Sequence, residues 1–131
     1  MLAKITIADY MSKHILTLKE ETPVMDAIKL FLDHKITSAP VLNEQGKVVG
    51  MFSEKDCMKV ALEAAYNQSF GGNVKEFMNT DAAPVDAQAS IVDLVEKFQS
   101  SQRRSFPVFD GDKLVGIVSR VDVLKALLNI K

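Results

Sequence analysis

Apolar positions fall at two spacings along this chain. Val24, Ala27, Ile28, Phe31 and Leu32 form one stripe at helical spacing. Thr22-Pro23 stands before it, with Thr as the expected N-cap and Pro at the first helical position, where a missing N–H costs nothing. Short apolar runs follow at Ala39–Leu42 and Val48–Phe52, on either side of Asn43-Glu44-Gln45-Gly46. That pattern predicts a β-hairpin whose turn is supplied by Asn and Gly. A second helix is expected from about Glu54, burying Met58, Ala61, Leu62 and Ala65 and ending at Gly71-Gly72. Ahead of the first helix lie an extended stretch, Ile15–Leu18, and a short apolar lead-in, Ile7–Met11.

The whole series then occurs again. Val74–Met78 matches the lead-in and Ala83–Val85 the extended stretch. Ser90 is the next predicted cap, followed by the stripe Ile91, Leu94, Val95 and Phe98, with Asp93 near the positive end of the helix. A second hairpin spans Phe106–Phe109, Asp110-Gly111-Asp112 and Leu114–Val118, and a last helix from about Arg120 would bury Val123, Leu124, Leu127 and Leu128. At an offset of 67, Met11 meets Met78, Asp26 meets Asp93, Phe31 meets Phe98 and Pro40 meets Pro107. One residue is lost in the hairpin turn, and Gly50, Ser53, Asp56 and Lys59 then meet Gly116, Ser119, Asp122 and Lys125.

Internal repetition outranks local propensity as a guide to architecture. The repeats are placed at 7–62 and 74–128, with 63–73 as helix tail and linker. Each reads β-α-β-β-α, an α/β (α+β) fold. Two copies are too few for an open solenoid, so a closed pair with pseudo-twofold symmetry is expected. Each Pro stands at a strand start, where a lost ladder donor is tolerated. The strands are apolar on both faces, as in sheets covered by helices. Neither half, near 55 residues with a one-sided sheet, is expected to be stable alone.

Composition narrows the function without naming it. The 131 residues are 47% apolar and 25% charged, ordinary for a globular protein. The net charge of −1, from 16 basic and 17 acidic residues, includes no basic tract, so a nucleic-acid partner is not expected. A lone Cys57 excludes a disulfide within the chain and suits a reducing, cytoplasmic setting. No apolar run approaches a membrane span, and the N-terminal residues lack a signal-peptide core, so no membrane association is expected.

The candidate chemistry is the Gly-x-x-Ser-x-x-Asp ending of each copy: Gly50, Ser53 and Asp56, then Gly116, Ser119 and Asp122. Two readings stand. In the first, Ser and Asp form a capping box that satisfies backbone donors at a helix start, worth about 1 kcal/mol. In the second, a helix N-terminus attracts anions, and a short carboxylate there accepts hydrogen bonds from vicinal hydroxyls such as those of a ribose. The roles are compatible.

The ordered set present twice at matching spacing, β-α-β-β-α with the strand starts Ala39-Pro40-Val41 and Ser105-Phe106-Pro107-Val108 and the Gly-x-x-Ser-x-x-Asp endings, resembles a tandem pair of cystathionine-β-synthase (CBS) domains, a Bateman module. The resemblance covers about Ile7 to Leu128. It implies two sheets packed face to face, with clefts between the copies for adenosine-containing ligands such as AMP, ADP, ATP or S-adenosylmethionine. It assigns Asp56 and Asp122 to the ribose and Ser53 and Ser119 as hydroxyl partners. It places adenine near Thr37 to Ala39 and Arg104 to Phe106, with Ile15-Leu16-Thr17 and Ala82-Ala83-Pro84 also lining the clefts. It further implies a homodimer built largely through helices.

The copies differ chemically. Arg103-Arg104 replaces Ile36-Thr37, and Arg120 replaces Glu54. Arginine offers forked donors to phosphate oxygens, so the Ser119–Asp122 site is expected to prefer a phosphorylated nucleotide; solvated surface charge is the plainer reading. Cys57 matches Val123 and reads as core. His14 and His34 lack ligand-spaced neighbours, so no metal is expected. No nucleophile elbow, Walker or dinucleotide-binding loop is present, and no enzyme is expected. The leading expectation is a stand-alone, non-catalytic adenosyl-ligand sensor acting through an unidentified effector protein or its own dimer. A scaffold with vestigial clefts is the alternative.

Overall fold

The computed structural model describes residues 2–68 and 71–130. Contacts divide the chain into two compact units, Leu16–Ala82 and Met1–Ile15 with Ala83–Lys131. In the first of these, β1 (Leu18–Lys19) runs parallel to β2 (Ser38–Leu42), which pairs antiparallel with β3 (Val48–Ser53), giving the order β1-β2-β3. Helices α1 (Val24–His34) and α2 (Glu54–Asn67) and the single turn α3 (Val74–Phe77) complete it. The other unit repeats the plan with β4 (Val85–Asp86), α4 (Ile91–Gln99), β5 (Ser105–Asp110), β6 (Lys113–Ser119) and α5 (Arg120–Leu128), in the order β4-β5-β6. Both hairpins are irregular at the same place, between Val41 and Leu42 and between Val108 and Phe109.

Each unit has its own apolar core. Val24, Ala27, Phe31, Val41, Phe52 and Val60 are buried together in one, and Ile91, Leu94, Phe98, Val108, Val118 and Ala126 in the other. Aromatic pairs sit at equivalent positions: Phe31 against Phe52 with ring centroids 5.8 Å apart, Phe98 against Phe106 at 4.8 Å.

The lead-ins are exchanged. Val74, from the lead-in of the second copy, lies in the core of the Leu16–Ala82 unit, and Ile7, from the lead-in of the first, lies in the other core. Main-chain hydrogen bonds match one for one. Val24 N–H donates to the Gly72 carbonyl, Val74 to Thr22 and Lys75 to Glu20, at 3.0, 2.9 and 3.0 Å. Ile91 donates to Ile5, Ile7 to Ala89 and Ala8 to Ala87, all at 2.9 Å. Farther along, Asn79 and Met51 exchange two bonds of 2.9 Å, and Ser12 and Ile117 exchange two of 2.8 and 3.0 Å.

This exchange explains the first residue of the Gly-x-x-Ser-x-x-Asp motif. A Cβ on Gly50 would stand 2.5 Å from the Asn79 carbonyl oxygen, and one on Gly116 would stand 2.7 Å from Met11 Sδ and 2.8 Å from the Ser12 oxygen. Hydrogen alone fits beneath the crossing segment. The same crossing explains the prolines. Pro40 pairs with Met51 and Pro107 with Ile117, residues whose own N–H and C=O groups are taken up by the lead-ins. The donor that Pro lacks is therefore not needed there.

Several expectations are corrected. Thr22 does not cap α1: the cap is Pro23, and the Thr22 hydroxyl accepts from Lys19 N–H at 3.0 Å in the preceding turn. Ser90 does cap α4, accepting from Asp93 N–H at 3.1 Å. Gly71-Gly72 do not end α2, which stops at Asn67 with Gln68 left-handed at φ 50°. Leu32 is exposed, because Val24, Ala27 and Phe31 already define the inward line of α1 and Leu32 lies round its flank.

The closing helices are turned from their expected faces. Asp56, Cys57 and Val60 are buried in α2, and Asp122 and Ala126 in α5. Met58 and Leu62 are 61% and 57% exposed, and their equivalents Leu124 and Leu128 are 62% and 86% exposed. Ala61 and Ala65 are exposed as well, Leu127 is exposed and Val123 only partly buried. The capping geometry fixes this rotation, because the third helical residue must reach back to the strand it leaves.

Candidate functional site

Each sheet ends at a strand–helix junction. Ser53 closes β3 in extended conformation, φ −132° and ψ 170°, and α2 starts at the next residue. Ser119 repeats this at φ −127° and ψ 174° before α5. Both pairs form a capping box. Ser53 N–H donates to Asp56 Oδ2 at 2.9 Å and the Ser53 hydroxyl donates to the same oxygen at 3.1 Å. At the other junction the distances are 2.8 and 3.3 Å. The two carboxylates are only 5% and 8% exposed. Each is thus held near the positive end of a helix with one oxygen committed to the serine.

The second oxygens differ. Lys59 Nζ lies 3.4 Å from Asp56 Oδ1. The equivalent Lys125 makes no such pair with Asp122 among the described residues. Asp and Lys stand three residues apart in both copies, so this difference in pairing is seen only in the folded chain.

Other candidate residues gather around the junctions by strand pairing. The Thr37 carbonyl accepts from Glu54 N–H at 2.8 Å, which engages the first donor of α2. Ala39 pairs with Phe52 and is fully buried; Phe106 pairs with Val118, with its ring against Phe98. Ala39 and Phe106 therefore offer a ligand their main chain, since their side chains are core. Arg104 is exposed and Arg103 half-buried, with Arg103 N–H donating to the Ser101 hydroxyl at 3.3 Å. Arg120 places its guanidinium 5.9 Å from the Phe98 ring centroid, a cation–π contact on the flank of α5.

Within the stretches expected near adenine, strand pairing sets one pair of serines opposite the capping serines. Ser38 lies directly across from Ser53, and Ser105, which is buried, lies across from Ser119. Ser38 and Ser105 recur at the same offset as the prolines two residues later.

Cys57 is core. Burial raises its thiol from the ordinary 9.0 to about 11, with the neighbouring Asp56 and Glu54 adding in the same direction. Among the described residues no group of His, Cys, Asp and Glu could hold a metal ion. No described helix is long and apolar enough to cross a membrane.

A duplicated β-α-β-β-α unit whose closing helix is capped by Ser-x-x-Asp defines a class of paired modules. The CBS domain family model matches residues 7–63 and again 74–129, and the chain belongs to that family. Among curated relatives it is 28% identical over 136 residues to the uncharacterized protein MJ1404 of Methanocaldococcus jannaschii, covering 95% of this chain and 32% of that one. It is 29% identical to the A-adding tRNA nucleotidyltransferase of Aquifex aeolicus, covering 95% of this chain and 14% of the enzyme. The chain thus spans a third or less of the length of these two relatives. Among solved structures, CBSX2 in complex with AMP is 27% identical with a TM-score of 0.82, over 95% of this chain and 96% of that one. An uncharacterized conserved protein from Pyrococcus horikoshii shares the fold at a TM-score of 0.87 and 24% identity, over 100% and 98% of the two chains.

Proposed function

We propose that this chain is a non-catalytic regulatory module that binds an adenosine-containing ligand at its strand–helix junctions. The observation that carries this is the carboxylate in each copy, 5% and 8% exposed, fixed by its serine at a helix N-terminus through one of its two oxygens. A short, oriented carboxylate beside a positive helix end suits a ribose diol next to a phosphate. The relative CBSX2, solved with AMP, supports the ligand class.

The Ser119–Asp122 junction is the stronger site in this reading. Asp56 shares its charge with Lys59, whereas Asp122 pairs with no lysine among the described residues, and Arg103, Arg104 and Arg120 belong to the same unit as Asp122. This junction takes the phosphorylated nucleotide, AMP, ADP or ATP. The Ser53–Asp56 junction takes a ligand more weakly, or one with less negative charge such as S-adenosylmethionine. Calorimetric titration with AMP and ATP tests the assignment. Asp122→Ala weakens AMP binding at least tenfold, about 1.4 kcal/mol, and Asp56→Ala weakens it less. Unchanged affinity in Asp122→Ala overturns it.

Signalling passes through a homodimer or an effector protein. Supporting this, α2 and α5 turn equivalent apolar side chains to solvent, Met58 and Leu62 in one copy and Leu124 and Leu128 in the other. A ligand shifts such an assembly only by its difference in affinity between two arrangements.

The second reading is a ligand-independent scaffold. It is favoured by the completeness of both capping boxes, which account for Ser and Asp with no ligand. Thermal denaturation separates the readings, since a nucleotide at 100 times its dissociation constant adds about 2.7 kcal/mol of stability. An unshifted transition with every adenosyl ligand establishes the scaffold.

A further inference from the structure

The unit that holds Asp122 contains a cavity of about 210 Å³ away from the capping box, between β4, α4 and the first lead-in. Its floor is apolar, formed by Ile7, Val85, Ala89 and Leu94. Its rim carries Asp86, Asp93 and Lys97. Drug-sized pockets run to about 300–1,000 Å³, so this space suits a smaller metabolite.

The rim charges are arranged unusually. Asp93 and Lys97 are one helical turn apart, the spacing at which opposite charges ordinarily close on each other. They do not pair within 4.0 Å among the described residues. Lys97 is drawn aside: its Nζ lies 3.5 Å from the Pro84 carbonyl oxygen and 5.7 Å from the Phe106 ring centroid. Asp86 is also oriented, with Oδ1 accepting from Gln88 N–H at 2.9 Å. One ammonium and two carboxylates, all exposed, thus stand unpaired with one another around an apolar floor.

The first copy arranges its charges differently, with Asp26 matching Asp93. At equivalent positions it has Leu30 for Lys97, Lys19 for Asp86 and Ala27 for Leu94. A cation at this helix position is found only in the second copy.

We propose that this cavity binds a free amino acid with an apolar side chain. The ligand carboxylate meets Lys97, its ammonium meets Asp93 and Asp86, and its side chain lies on Ile7, Val85 and Leu94. The cavity borders the cleft expected at Pro84 and Phe106, but it uses no capping-box residue and its reading does not depend on the nucleotide.

Titration calorimetry of the full chain with L-valine, L-leucine and L-methionine tests this, with L-leucinamide and 4-methylpentanoate as the ligands missing one charge each. Saturable binding is expected for at least one amino acid, at least tenfold weaker for both single-charge analogues. Lys97→Leu, which installs the first copy's residue, removes that binding while the protein melts as the wild type does. If that variant does not fold, Asp93→Asn gives the same loss from the ammonium end. The proposal is overturned if no amino acid gives saturable heat up to about 10 mM. It is also overturned if leucinamide and 4-methylpentanoate bind as well as leucine, or if folded Lys97→Leu binds unchanged.

Discussion

Ser12 and Ile117, more than 100 positions apart in sequence, exchange two main-chain hydrogen bonds of 2.8 and 3.0 Å. Ser12 leads into the first copy and Ile117 lies in the hairpin of the second. Asn79 and Met51 form the matching exchange in the other direction, with both bonds at 2.9 Å. Each copy therefore completes its core with the other copy's lead-in, so a fragment ending before Val74 lacks a buried residue of its own unit.

The glycines under these crossings are expected to be the least replaceable residues of the motif. Gly116→Ala places a methyl group against Met11 Sδ and the Ser12 oxygen, and Gly50→Ala places one 2.5 Å from the Asn79 oxygen. Overpacking of this kind costs about 1–3 kcal/mol. Gly50→Ala is the worse of the two, because its nearest obstacle is main chain and the nearest to Gly116 is a flexible methionine. Urea unfolding midpoints measure both.

Ser53 and Ser90, both before helices, have different duties. Ser90→Ala removes the hydroxyl that accepts from Asp93 N–H and lowers stability by about 1 kcal/mol. Ser53→Ala costs less than Asp56→Ala, because the Ser53 main chain still donates to the Asp56 carboxylate when the hydroxyl is gone. Guanidinium denaturation of the three variants gives the order, and an equal loss for Ser53→Ala and Asp56→Ala contradicts it.

The Cys57 thiol imposes a pH dependence at the alkaline end. Its pKa rises from 9.0 to about 11 on folding, so between these values the unfolded chain has lost a proton that the native protein keeps. Unfolding is favoured as the thiol ionises, so the stability it contributes is complete below pH 9 and is lost as pH rises toward 11. Urea midpoints at pH 8 and pH 10.5 should fall further apart in the wild type than in Cys57→Ala. At neutral pH the buried thiol reacts with iodoacetamide only as fast as the structure opens.

The outward apolar positions bear on assembly. Leu124→Lys and Leu62→Lys remove exposed apolar surface without opening a core, so the isolated chain keeps its melting temperature within a few degrees. Sedimentation equilibrium of the wild type is expected to give a dimer, and the double variant a monomer.

Much of this was legible in the sequence. The hairpin residues, the inward line of α4 and its Ser90 cap follow from apolar periodicity and turn chemistry. So does the position of both Ser-x-x-Asp pairs at strand–helix junctions. The faces of α2 and α5 were not legible, since both helices carry apolar residues on more than one side. Their rotation is set by Asp56 and Asp122 reaching back to the preceding serines. Thr22 was misread as a cap because its neighbour Pro23 took that place, with the Val24 N–H satisfied by the Gly72 carbonyl.

The sequence by itself determined the duplication, the elements of each copy and the residues that recur at their junctions, because side-chain periodicity and motif spacing are local properties. Only the tertiary structure decided that the lead-ins are exchanged, because the bonds that exchange them are between main-chain groups, which every residue type carries alike. It alone also separated Asp56, drawn to Lys59, from Asp122, whose matching Lys125 makes no such pair. Asp and Lys recur at the same spacing in both copies, so spacing alone could not tell the two pairs apart.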